Sequence, residues 1–233
     1  MAAPTIVFDL DGTLVDTAPD LIDTLNTILG RHGVPPVAPP DARTMIGAGV
    51  KPLLQRALAS KGLNLPAAEI DLLFAEYLEL YADHIADRSR PFPGLEAALD
   101  ELAADGCRLA VCTNKLEWLS VRLLQKLALA SRFAAICGQD TFAMRKPDPE
   151  MLRLTIRRAG GDSGHAVMVG DSMTDVATAR AAGIPVVAVD FGYTEVPPGD
   201  FGADRLIGHF DGLVGAVKGL LPAARRPHPE ARA

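Results

Sequence analysis

Short runs of β-branched and apolar residues recur along this chain, and that recurrence constrains its fold more than any other feature. TIVFD at 5–9, RLAVCT at 108–113, AVMVG at 166–170 and PVVAV at 185–189 read as buried strands, with a shorter one near 134–137. Helical stretches at 95–105, 116–129, 149–159 and 174–182 fall between them. Strands alternating with helices of ten or more residues form βαβ units on a parallel sheet. Their crossovers are right-handed, so the chain is expected to be an α/β protein with a doubly wound parallel sheet.

One segment breaks the alternation. After the first strand the chain is helical only, from 16 to 90. Leu21, Leu25, Ile28 and Leu29 make one helix face, closed by Gly33, and VPPVAPPD makes a Pro-rich turn. Residues 41–61 and 67–89 read as further helix, the second with Ile70, Leu73, Phe74, Tyr77 and Tyr81 on one side, and RPFPG at 90–94 ends the segment. The expected organisation is a Rossmann-like core of residues 1–15 and 91–222, a small all-helical cap domain of 16–90 inserted after the first strand, and a disordered tail at 223–233. Trp118 is expected to pack its helix against the sheet or the cap.

Composition narrows the function classes. A formal net charge of −6 over 233 residues does not suit nucleic acid or an anionic membrane surface. Three cysteines without a CxxC do not form a disulfide framework or a zinc site. The start has no basic n-region and no run approaches the ~18 apolar residues of a membrane span. A cytoplasmic protein, monomer or homodimer, is expected.

In a doubly wound sheet, ligands bind at the carboxyl ends of the strands where strand order reverses. The first strand delivers Asp9-Leu10-Asp11-Gly12-Thr13 to that rim, the second Thr113-Asn114-Lys115, and the strand at 166–170 Gly170-Asp171-Ser172 with Asp175 a turn further on. Lys146-Pro147-Asp148-Pro149 lies between the last two. Asp9, Asp11, Asp171 and Asp175 together repel unless a positive charge sits among them. An oxygen-rich set with few nitrogens or sulfurs suits a hard cation, Mg²⁺ among them. A phosphate is the natural anion for that metal, for Lys146 and for the donors Thr113 and Asn114. With Gly12 allowing a tight turn, one carboxylate of the Asp9–Asp11 pair can attack phosphorus while the other serves the leaving oxygen. Blander readings stand beside these: a strand-end Asp capping a helix, Asp175 favouring a helix dipole, Lys146 as a solvated loop lysine. Walker A, GxSxG, HExxH and EF-hand patterns are absent.

DLDGT at 9–13, TN at 113–114, KPDP at 146–149 and GDSMTD at 170–175, in this order on alternating strands, resemble the haloacid dehalogenase superfamily. The helical insertion resembles its C1-type cap. DGTLVDTAPDL, IGAG, TNK, RKPDP and VGDSMTDVATARAAG are most similar to the phosphoglycolate phosphatases within it. The resemblance implies Asp9 as nucleophile and Mg²⁺ ligand, and Asp11 as general acid/base and ligand through its backbone carbonyl. It implies Thr113 and Asn114 as phosphoryl ligands, Lys146 as partner of Asp9 and the phosphoryl oxygens, Asp171 as a metal ligand and Asp175 as its support. The implied activity is a Mg²⁺-dependent phosphomonoesterase acting through an aspartyl-phosphate on a small phosphorylated metabolite, 2-phosphoglycolate first. Another small phosphometabolite, a phosphomutase reaction and a non-catalytic phosphate-binding module are the alternatives. Gly47 and Gly49 read either as backbone closing over a small substrate or as a helix break. Arg43, Lys51 and Arg56 beside them read as cations for a substrate carboxylate or as solvated charges.

Overall fold

A computed structural model of the chain describes residues 3–221 apart from residue 195. The tail expected at 223–233 lies outside the described residues. Strand β1 (Thr5–Phe8) is followed by the two-residue β2 (Val15–Asp16) and four helices, α1 (Ala18–Arg31), α2 (Pro39–Thr44), α3 (Val50–Ala59) and α4 (Ala67–Asp83). Strand β3 (Arg90–Pro91) then pairs antiparallel with β2, so the helical segment leaves and returns at one place. From there strands and helices alternate until the last two strands, which follow one another without an α-helix between them. The elements are α5 (Leu95–Ala104), β4 (Arg108–Cys112), α6 (Glu117–Lys126), β5 (Ala135–Cys137), α7 (Pro149–Arg158), β6 (Ala166–Gly170), α8 (Met173–Ala182), β7 (Val186–Val189), β8 (Arg205–Ile207) and α9 (Leu213–Lys218).

The six-stranded sheet has the order β5-β4-β1-β6-β7-β8, every pair parallel. The chain runs from β1 out to β5, then returns beside β1 and runs to β8. Strand order therefore reverses at β1, the position at which an open α/β sheet leaves a crevice beyond its strand ends.

Period-two alternation divides the strand residues between two buried faces. Ile6, Phe8, Val111, Val169 and Val189 join a cluster with Leu99 of α5, Leu123 of α6, Val217 of α9 and the buried faces of α1, α3 and α4. Val7, Ala110, Cys112, Met168 and Val186 pack on the other side against Leu152 and Ile156 of α7 and Val176 and Ala179 of α8. Each fully buried Leu, Ile or Phe contributes about 1.5–3 kcal/mol.

The helical segment shares the first cluster. Leu21, Leu25, Ile28 and Leu29 are buried along α1, and Tyr77 of α4 donates its hydroxyl to the Leu21 carbonyl at 2.9 Å. The Asp20 carboxylate accepts from the backbone N–H groups of Arg88 and Ser89 and from the Ser89 hydroxyl, which ties the return loop to α1.

Several elements differ from the pattern read in the sequence. The helix expected over 41–61 is two, because Gly47 (φ +114°) and Gly49 (φ +94°) hold a conformation that L side chains rarely adopt. The helix expected over 67–89 ends at Asp83. β2, β3, β8 and α9 were not anticipated. Trp118 does not pack inward: it is 47% exposed on the outside of α6, beside Val121 and Gln125. Among the described residues no helix is long and apolar enough to cross a membrane.

Candidate active site

β1 carries the chain into the crevice. The Asp9 N–H still donates to the Val169 carbonyl at 2.9 Å, so its side chain leaves the sheet buried between β4 and β6. The backbone then turns, with the N–H groups of Leu14 and Val15 donating to the Leu10 carbonyl. Gly12 sits at φ +83°, and a Cβ there would collide with the Asp171 carboxylate, so only glycine lets the turn come this close. The turn separates the two acids. Asp9 faces Lys146, with Nζ 2.9 Å from its Oδ1. Asp11 accepts from the Thr17 hydroxyl at 2.8 Å and from Lys115 Nζ at 3.1 and 3.2 Å.

Asp9, Asp171 and Asp175 are all buried, and each offers a carboxylate oxygen within 4.8 Å of the others. Asp171 follows β6 and accepts from the Thr13 hydroxyl (3.1 Å) and the Tyr193 N–H (2.7 Å). Asp175 completes a capping box at the start of α8. Its Oδ2 accepts from the Ser172 hydroxyl (2.7 Å) and Ser172 N–H (3.2 Å), and its Oδ1 from Lys146 Nζ (2.7 Å). Asp175 therefore caps a helix and also stands in the acidic cluster.

Burial pushes the Asp9 carboxyl up to about 6, although Lys146 pulls it down. Burial, then the charges of Asp175 and Asp9, holds Asp171 well above the usual carboxylate range. Burial opposes the Lys146 charge, but Asp175 and Asp9 outweigh it and keep the ammonium above its usual range. Three ionised carboxylates around one ammonium leave two negative charges uncompensated away from water, a costly arrangement. A hard divalent cation would remove that imbalance, and the donors are all oxygens. Both Asp175 oxygens are committed to Lys146 and Ser172, whereas Asp171 keeps a lone pair on each oxygen after its two hydrogen bonds.

The loop after β4 brings Thr113, Asn114 and Lys115, all buried, to the same crevice. Thr113 N–H continues the sheet by donating to Cys137 O (3.0 Å), and its hydroxyl oxygen accepts from the Lys115 N–H (3.2 Å). Asn114 Nδ2 donates to the Lys146 carbonyl (3.2 Å), joining this loop to the segment that carries Lys146. A pocket lies over them, floored by Asp9, Asp11, Thr113, Asn114 and Lys115 and walled from the helical segment by Leu21, Ile46, Gly47, Gly49, Val50 and Leu53. Gly47 and Gly49 therefore break the helix and line the pocket.

The three cations beside those glycines turn away from it. Arg43 lies over the Tyr193 ring (4.6 Å) and 3.5 Å from Asp16, Lys51 pairs with Asp71 (2.5 Å), and Arg56 donates to the Met45 carbonyl (3.1 Å). The pocket's own cation is Lys115, which the sequence pattern placed at a strand end without assigning it a role. Thr13, Ser172 and Tyr193, which position Asp171 and Asp175, were also not singled out. Thr13 and Ser172 sit inside the motifs, but nothing in the sequence marks Tyr193.

Known proteins of one family resemble this chain in sequence and fold. The model of the haloacid dehalogenase-like hydrolase family matches residues 6–189. Over 213 residues the chain is 51% identical to a phosphoglycolate phosphatase of Mesorhizobium japonicum, covering 91% of this chain and 94% of that one. It is 34% identical to an N-acetylmuramic acid 6-phosphate phosphatase of Pseudomonas aeruginosa, covering 90% and 92%. Its fold superimposes with a TM-score of 0.86 on the crystal structure of a predicted phosphoglycolate phosphatase from Haemophilus somnus, at 28% identity, covering 91% of this chain and 97% of that one. With four motifs gathered at one switch point and a family match running from β1 to the end of β7, the chain belongs to the haloacid dehalogenase-like hydrolases.

Proposed function

We propose that this chain is a Mg²⁺-dependent phosphomonoesterase that hydrolyses 2-phosphoglycolate to glycolate and phosphate through an aspartyl-phosphate on Asp9. The observation that carries the reading is the division of the first motif: Asp9 faces Lys146 and Asp171, while Asp11 is held apart by Thr17 and Lys115. Two carboxylates two residues apart in sequence thus occupy two environments, as a nucleophile and an acid/base require.

Asp9, Asp171 and the backbone carbonyl of Asp11 would hold Mg²⁺, with Asp175 in support. Bound there, the ion supplies positive charge to the phosphoryl oxygens and relieves the repulsion among the carboxylates. An Asp9 oxygen attacks phosphorus, and the bond to the leaving oxygen breaks as Asp11 gives that oxygen a proton. Water then attacks phosphorus while Asp11 takes its proton, and the electron pair of the broken bond returns to Asp9. Thr113 and Asn114 orient the phosphoryl group, and Lys146 balances the Asp9 charge. Residues 16–90 act as a cap on a core of 1–15 and 91–222, closing Gly47 and Gly49 over the substrate and excluding water.

The choice of 2-phosphoglycolate rests on the phosphoglycolate phosphatase relatives. The relative acting on N-acetylmuramic acid 6-phosphate keeps a second reading open, another small phosphometabolite at the same site. The test is phosphate release from 2-phosphoglycolate against sugar phosphates, nucleotides and pyrophosphate, with Mg²⁺ and with EDTA. A large kcat/KM lead for 2-phosphoglycolate, lost in EDTA, is expected. A flat metal-dependent profile would keep the chemistry and reject the substrate. Asp9→Asn is expected to abolish turnover with the fold intact by circular dichroism, and retained activity would reject the nucleophile.

A further inference from the structure

We propose that Lys115 is a positioning residue for Asp11, fixing its carboxylate plane, and that Tyr81 of α4 holds Lys115 in place. The proposal deepens the reading of Asp11 as acid/base and rests on it.

Thr17 reaches only one Asp11 oxygen, Oδ1, at 2.8 Å. One hydrogen bond leaves the carboxylate free to rotate about its own axis. Lys115 Nζ lies 3.1 Å from Oδ1 and 3.2 Å from Oδ2, so it spans both oxygens and removes that freedom. A lysine is a point charge on a flexible stem and fixes a partner only if it is itself fixed. Here a second anchor exists: Nζ donates to the Tyr81 hydroxyl at 2.9 Å and stands 4.5 Å from the centre of the Tyr81 ring. Tyr81 is fully buried in the last turn of α4, its ring centre 5.9 Å from that of Tyr77 and tilted 31° to it. Two buried lysines thus divide the site: Lys146 serves Asp9 and Asp175, Lys115 serves Asp11. The second is reached from the helical segment, so the orientation of Asp11 depends on α4 as well as on the sheet.

Asp11 serves both steps, and its part in the second can be read separately. There water oxygen bonds to phosphorus, Asp11 takes the water proton, and the phosphorus–oxygen bond to Asp9 breaks with its electrons returning to Asp9. A misplaced base costs this step about 100-fold. Acetyl phosphate separates the two steps, because acetate leaves without needing a proton.

The experiment measures kcat and KM on 2-phosphoglycolate with Mg²⁺ for Lys115→Met, Tyr81→Phe and the double variant. It also measures formation and decay of the Asp9 phosphoenzyme loaded by acetyl phosphate. For Lys115→Met, kcat is expected to fall about 100-fold with KM within about threefold, decay to slow by a similar factor, and loading to stay near wild type. Tyr81→Phe should move the same quantities about tenfold, and the double variant should be no worse than Lys115→Met alone. A raised KM at unchanged kcat would overturn the proposal by making Lys115 a ligand of the substrate carboxylate. Loading and decay slowed equally, or an unchanged kcat in either single variant, would also overturn it. If Lys115→Met fails to fold, Tyr81→Phe carries the test by the same readouts. Asp11→Asn is the separate control: wild-type turnover there rejects the reading of Asp11 itself, and failure of wild-type loading rejects Asp9 as nucleophile.

Discussion

At the scale of the residue, the site is set by charges that burial makes costly. Asp9 binds its proton more tightly in the folded chain, at about 6, than in an unfolded one, and Asp171 is shifted the same way. A carboxyl raised on folding favours the folded state at low pH, and that contribution is lost as pH rises through the folded value. The metal-free protein therefore loses stability through Asp9 as pH rises from about 4 to about 6, and through Asp171 in the same direction, and a divalent cation is expected to restore it by replacing the protons. The rise in Tm on adding Mg²⁺ is expected to be small at pH 5 and large at pH 8 in thermal melts. An equal rise at both would contradict the cluster as the metal site. The sequence made Asp9, Asp11, Asp171 and Asp175 legible because they stand at or just beyond strand ends in recognisable spacing, and Lys146 because it opens the KPDP motif. It placed Lys115 at the rim without showing its role and did not mark Tyr193, because a buried polar group is indistinguishable from a solvated one until its neighbours are known.

Among the elements, α8 links helix capping to the site. The Ser172 hydroxyl donates to Asp175 Oδ2 and accepts from the Asp175 N–H, so it both starts the helix and orients a carboxylate of the cluster. Ser172→Ala is expected to cost about 1 kcal/mol in urea unfolding. It should also weaken Mg²⁺ about tenfold by titration calorimetry, because Asp175 loses an orienting partner. Unchanged metal affinity would reduce Ser172 to a helix cap alone. The long elements followed the hydrophobic period closely, whereas β2, β3 and β8 have only two or three residues each, too few to show any period. The break between α2 and α3 was readable only as an alternative at Gly47 and Gly49, since two glycines mark a place where a helix can stop without showing that it does.

Across the whole molecule, Tyr193 joins the acidic cluster to the place where the helical segment departs. Tyr193, in the loop after β7, gives its N–H to Asp171, donates its hydroxyl to Asp16 of β2 (2.6 Å) and accepts from the N–H of Ala18 at the start of α1 (2.9 Å). Arg43 of α2 lies over its ring. Tyr193→Phe keeps the bond to Asp171 and strands the buried Ala18 N–H. About 1–3 kcal/mol of stability should be lost in urea unfolding, with Mg²⁺ affinity nearly unchanged. A large loss of metal affinity instead would show that the departure point and the cluster are coupled through the ring.

The sequence by itself determined five of the six strands of the main sheet, β1 and β4 to β7, that they run parallel, and which residues stand at their carboxyl ends. Period and composition report how each residue faces the core, and motif order reports what each strand carries. The tertiary structure alone decided which distant polar atoms meet. Thr13 reaches Asp171 across 158 positions, Lys115 reaches Asp11 across 104, and Tyr81 reaches Lys115 across 34. Those pairings follow from strand order reversing at β1 and from the helical segment folding back over that point. No local pattern encodes them, because a hydrogen bond between remote residues is set by the packing of the elements that carry them.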